Sequence, residues 1–109
     1  MFKQYFHIKG YWSVAVCYGA DLGEINSGFT RTDFNKRLSI VCIGIADSRA
    51  EFLNTIVHEA KHVQSHICRY YGVDEKSEDA AYLIGYLVMR MYDGFHDALC
   101  GDAQRFLFQ

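Results

Sequence analysis

From Arg49 to Tyr71 the chain runs without glycine or proline, and this stretch constrains the fold more than any other. Ser48 stands three residues before Glu51, the spacing of a capping box, with Asp47 as a second N-cap candidate. Gly72 supplies the stop. On a helical wheel Leu53, Ile56, Val57, Ala60, Val63, Ile67 and Tyr70 gather on one broad face, so the sequence predicts a single long helix that packs through that face.

A second helix is expected from Ser77 by the same capping logic. Ala80, Leu83, Ile84, Leu87 and Met91 form its apolar stripe, and Asp93-Gly94 its stop. Phe95–Phe108 reads as a short third helix broken at Gly101. Ahead of the helices the periodicity changes. Tyr11–Tyr18 is rich in aromatic and β-branched residues and reads as a strand that can extend back through Tyr5–Ile8. Phe29–Thr32 and Arg37–Ile45 flank a polar turn at Asp33–Lys36 and read as a hairpin, with the nearly continuous apolar second strand expected at the centre of the sheet. Asp21–Ser27 has no clear period and is assigned to a loop. Strands first and helices after imply an α+β domain: a small antiparallel sheet with two main helices on one face and a short C-terminal helix.

The length of 109 residues suits one domain, 1–109, and the 50% hydrophobic content supplies a core. A net charge of -2 lacks the basic footprint of a nucleic-acid binder. No apolar run is long enough for a membrane span, and Trp12–Ala20 makes a poor secretory core, so the expected setting is the cytoplasm. Cys17, Cys42, Cys68 and Cys100 form no C-x-x-C pair, which disfavours a zinc knuckle or a thioredoxin-type motif. Buried free thiols in a reducing compartment are the simpler expectation, with two disulfides as the alternative.

The chemistry is concentrated in His58-Glu59-Ala60-Lys61-His62, an H-E-x-x-H sequence inside the long helix. Residues four apart share a helical face, so both imidazoles can reach one cation with the glutamate beside them. Shuffling a chain with 5 His gives about 0.008 expected occurrences. The pair also points away from the apolar stripe, which argues against core histidines; solvated surface histidines are the plain alternative. A metzincin continuation needs Gly and His at positions 65 and 68, where the chain has Ser65 and Cys68. In the next helix Glu78, Tyr82 and Gly85 share a face directed away from that helix's stripe, and Gly85 is expected to let the helices approach closely.

This order, His58-Glu59-x-x-His62 followed by a helix bearing Glu78, resembles the zincin metallopeptidases of the gluzincin branch over Glu51–Gly85, in a minimal single-lobe form. The resemblance implies Zn²⁺ held by His58, His62 and Glu78, with Glu59 as general base and a peptide or protein chain as substrate. Zinc on two imidazoles and a carboxylate stays Lewis acidic, and a glutamate beside its water can take a proton and pass it to a leaving amine. Tyr82, then Arg69 and His96, are candidate oxyanion donors, each with an ordinary structural role as the alternative. His66 is displaced on the wheel and reads as a surface or supporting residue.

Two other readings compete. A zinc-binding but non-catalytic interaction module would close the site with a fourth ligand such as Asp79, Asp74 or His96. A metal-free interaction domain would leave Glu78 and the histidines apart.

Overall fold

Four strands and then two helices follow one another along the chain in the computed structural model, which describes residues 2–22 and 27–98. The strands are β1 (Phe2–Ile8), β2 (Trp12–Ala20), β3 (Gly28–Asp33) and β4 (Leu38–Gly44); the helices are α1 (Arg49–Tyr71) and α2 (Glu78–Ala98). The fold is therefore α+β, a sheet followed by two helices on one of its faces.

The sheet order is β1-β2-β4-β3. β1–β2 and β3–β4 are antiparallel hairpins, but β2 and β4 pair in parallel, so the sheet is mixed rather than wholly antiparallel. Composition explains the order. β4 is apolar along most of its length and takes an interior place, whereas β3, with Thr30, Arg31, Thr32 and Asp33, tolerates the edge. β2 and β3, consecutive along the chain, are therefore separated in the sheet by β4. The segment Tyr5–Ile8 belongs to a separate strand, because the chain reverses at Lys9-Gly10, where the Tyr11 N–H returns to the Ile8 carbonyl.

Alternation decides which side chains enter the core. Val14, Val16 and Tyr18 of β2 and Val41 and Ile43 of β4 are buried against the helices. They meet Phe52, Ile56, Ala60, Val63 and Ile67 of α1 and Leu87, Met91 and Phe95 of α2 in one cluster. Each valine, leucine, isoleucine, phenylalanine or methionine side chain withdrawn from water contributes roughly 1.5–3 kcal/mol. Of the face expected for α1, Leu53, Val57 and Tyr70 are not buried but stay exposed over nearly half their surface.

Both caps of α1 form as the sequence predicts. The Glu51 N–H donates to Ser48 Oγ at 3.1 Å, and Glu51 Oε2 accepts the Asp47 N–H at 3.1 Å. Gly72 closes the helix at φ 70°, the left-handed conformation that glycine adopts without strain. At the start of α2 the Ala80 N–H reaches Ser77 Oγ at 3.2 Å.

Asp93-Gly94 does not stop α2. The helix continues because Phe95 is buried against Tyr18 and Phe52, and Gly94 serves a different purpose: a Cβ there would overlap the Gln4 amide. Gln4 in turn donates to the Arg90 carbonyl at 2.8 Å, while the buried Tyr18 hydroxyl reaches the Met91 carbonyl. These bonds fix α2 beneath β1 and β2. The rest of the expected third helix, residues 99–108, lies outside the described residues. Gly85 faces open space instead of a helix contact. No helix among the described residues is long and apolar enough to cross a membrane.

Candidate functional site

α1 carries the motif along the underside of β3. Gly28 opens that strand so close to the helix that a Cβ would press on Thr55 and Glu59 side chains and on the Cys42 carbonyl. Two residues along, Thr30 Oγ1 donates to Glu59 Oε1 at 2.8 Å. Two further, Thr32 Oγ1 lies 2.7 Å from His66 Nδ1. The period of two in the strand thus meets successive turns of the helix, and every inward position of β3 touches α1.

Glu59 is 3% exposed, yet its carboxylate is not sealed among apolar groups. Oε1 accepts the Thr30 hydroxyl, and Oε2 lies 3.9 Å from His58 Nε2. His58 and His62 are exposed on the outer face of α1, as the wheel predicts, with Nε2 atoms 3.3 Å apart and ring centroids 4.9 Å apart. Two nitrogens bound to one tetrahedral ion at Zn–N distances of about 2.0–2.1 Å stand about 3.3–3.4 Å apart. The separation of the pair matches that of two ligand nitrogens on such an ion, and it is equally that of a hydrogen bond between the two rings.

Glu78 is not brought to the pair. Among the described residues, no group of three His, Cys, Asp or Glu is placed to hold a metal ion. The cause is a buried residue that the motif does not include. Gln64 is fully buried and donates from Nε2 to the Ala80 carbonyl at 3.1 Å, while its Oε1 accepts from Lys61 Nζ at 2.8 Å. Gln64 sits about 200° around α1 from His62. The first turn of α2 is thereby docked on the opposite flank of α1, and Glu78 is exposed there.

Tyr82 is 72% exposed and lines a cavity of about 550 Å³ between the β1–β2 turn and the facing ends of the helices. Asp79 lines the same cavity; none of His58, Glu59 or His62 does. Asp74 Oδ1 instead accepts the Lys76 N–H at 2.9 Å, and Arg69 is an exposed residue in the last turn of α1. The His96 side chain lies outside the described residues.

His66 is half-buried, with its ring edge-on to Phe34 at 5.6 Å. Desolvation, then the electrostatic influence of Arg69 and His62, lowers its pKa from the usual imidazole value against a smaller opposing effect of Glu75. The residues that reading the motif alone missed are Thr30, Thr32 and Gln64. The threonines could have been found from strand alternation, which puts both on one face; Gln64 could have been found as a polar residue beside the apolar stripe.

Compared with known protein families, curated proteins and solved structures, the chain matches none.

Proposed function

We propose that the chain is a zinc-dependent metallopeptidase of the H-E-x-x-H type, with His58 and His62 as metal ligands, Glu59 as general base and a peptide or protein chain as substrate. The observation that carries this reading is the 3.3 Å separation of the two Nε2 atoms beside a carboxylate already tethered by Thr30. Zinc would supply Lewis acidity toward water and the scissile carbonyl. Thr30 occupies Oε1 of Glu59 and so leaves Oε2, the oxygen on the His58 side, to take a proton and deliver it to the leaving amine.

The edge of the sheet supports an extended substrate. The Gly44 N–H donates to the Ser27 carbonyl, and the register then makes Phe29, Arg31 and Asp33 the residues bonded to β4. Gly28, Thr30 and Thr32 direct their backbone N–H and C=O groups to the outer edge, where a peptide can add as a further strand. Glu78 is the proposed third ligand. Because Gln64 holds the first turn of α2 on the other flank of α1, this ligation requires that turn to move. Tyr82 is retained as an oxyanion donor only under the same movement. The cytoplasm is part of this reading.

A metal-free interaction domain is the second reading, and the separation of Glu78 from the histidines favours it. Elemental analysis of the chain purified without added metal separates the two. One zinc per chain, lost in a His58→Ala/His62→Ala double variant and in Glu78→Gln but kept in Asp79→Asn, is the expected result. A metal-free parent overturns the zinc reading, and full zinc in the double variant moves the site elsewhere. Zinc kept in Glu78→Gln but lost in Asp79→Asn leaves the histidine pair in place and makes Asp79 the third ligand. A zinc-loaded chain that cleaves nothing would instead be the non-catalytic module.

A further inference from the structure

Both helices pack on one face of the sheet, and the other face carries a pair of cysteines. Cys17 of β2 and Cys42 of β4 are directly opposed in the parallel register. Each follows the alternation away from the core, since Val16, Tyr18, Val41 and Ile43 point inward, and each is half-buried. The expectation of buried thiols therefore fails at these two positions and holds at Cys68, which is 1% exposed. The two thiols are close enough for Cys17 to add to burial in raising the Cys42 pKa. Neighbouring strands run about 4.7–4.9 Å apart, inside the Cα separation of about 4.4–6.8 Å that a disulfide spans.

We propose that Cys17 and Cys42 form a dithiol modification site that closes to an intramolecular disulfide by exchange with a small-molecule disulfide. Cys17 gives its proton to solvent and its thiolate attacks one sulfur of the small disulfide, forming a mixed disulfide and releasing one small thiolate, which takes up a proton. Cys42 then gives its proton to solvent and its thiolate attacks Cys17 Sγ, so the protein disulfide forms and the second small thiolate leaves. Two protein thiols are oxidised and one small disulfide is reduced to two thiols. Burial, and then the neighbouring Cys17, raises the pKa of Cys42, so its attack waits on loss of its proton to solvent. The bridge encloses residues 18–41, the segment that carries β3 and Thr30. It is independent of any metal at the histidines.

The probe is oxidised glutathione in excess over the native, full-length chain, followed by acid quenching, alkylation, trypsin and mass spectrometry. Trypsin places Cys17, Cys42, Cys68 and Cys100 on four different peptides, 10–31, 38–49, 62–69 and 91–105, so the linkage is read directly. The expected product is peptide 10–31 joined to 38–49, exceeding glutathione adducts on these two cysteines by at least ~10-fold, an excess that denaturant abolishes. In Cys42→Ser, Cys17 should instead accumulate a stable glutathione adduct. Separate adducts on Cys17 and Cys42 in the native parent, thiols that stay unmodified, or a bridge to Cys100 would each overturn the proposal. If Cys42→Ser does not fold, the product ratio in the parent decides alone.

Discussion

On the flank of α1 that meets β3, Glu59 and His66 are each held by a threonine hydroxyl, whereas on the flank that meets α2 Gln64 adds a buried hydrogen bond to apolar packing. The α2 flank is closed, with Gln64 spending its amide on the Ala80 carbonyl and its oxygen on Lys61. The β3 flank ends at an open face, where the His58 and His62 nitrogens approach each other and the His58 side chain is 66% exposed. Polar residues on the closed flank have a structural purpose that accounts for them. The histidine pair adds little to packing and its rings meet each other at the surface, so the two flanks should respond differently to substitution.

The largest effect is expected at Glu59. Glu59→Gln keeps the oxygen that accepts the Thr30 hydroxyl and loses the base, so fold and zinc content should persist while hydrolysis falls by about two to four orders of magnitude. Parent and variant would be incubated with a denatured proteome or a diverse peptide mixture, and new termini identified by mass spectrometry, with a chelator control. Equal cleavage by both proteins would assign the activity to another residue or to a contaminant.

Next come the ligands. His58→Ala or His62→Ala should weaken zinc binding by at least about 100-fold, measured by competition with a chelating dye. The metal-free chain should meanwhile unfold in urea within about 0.5 kcal/mol of the parent, because exposed side chains away from packing rarely matter more. A large loss of stability would make these histidines structural and erase the contrast between the flanks.

Gln64 tests the closed flank from the other side. Gln64→Leu removes a buried donor and strands the Ala80 carbonyl, a loss of about 1–3 kcal/mol in a urea titration. The same substitution releases the first turn of α2. If Glu78 is the third ligand, zinc affinity should then hold or rise even as stability falls. A parallel loss of both would tie metal binding to the closed flank.

Much of this architecture was legible because local rules act on short stretches. The Ser48–Glu51 box, the Gly72 cap and the hairpin turn at Asp33–Lys36 depend on residues within a few positions of each other. The parallel pairing of β2 with β4 was not legible, since it depends on which strand two hairpins present to each other. Asp93-Gly94 misled for a similar reason: the glycine answers to Gln4, far away in sequence. At the site, the wheel placed His58 and His62 together, since both lie on one helix. It could not place Glu78, whose position depends on a helix-to-helix contact made by Gln64. Periodicity fixes a residue's direction on its own element, and the docking angle between elements comes from buried contacts that the motif does not contain.

The smallest expected effect concerns His66, the residue that belongs to the β3 flank without belonging to the pair. Its pKa is lowered in the fold, mainly by desolvation and then by Arg69 and His62, so the folded state favours the neutral ring that meets Thr32 Oγ1. A depressed folded value means that the unfolded chain binds more protons across the interval below the ordinary imidazole pKa of about 6.5. The stability linked to His66 is therefore complete above that pH and is lost as the pH falls through the folded value. Urea midpoints taken in chelator from pH 7.5 down to 5 should decline in the parent. His66→Gln retains a hydrogen-bonding group opposite Thr32 but cannot titrate, so its decline should be shallower. An identical slope in the two proteins would assign the acid sensitivity to other groups and reduce the Thr32–His66 contact to packing, leaving Thr30–Glu59 as the one polar tether with chemical consequence on that flank.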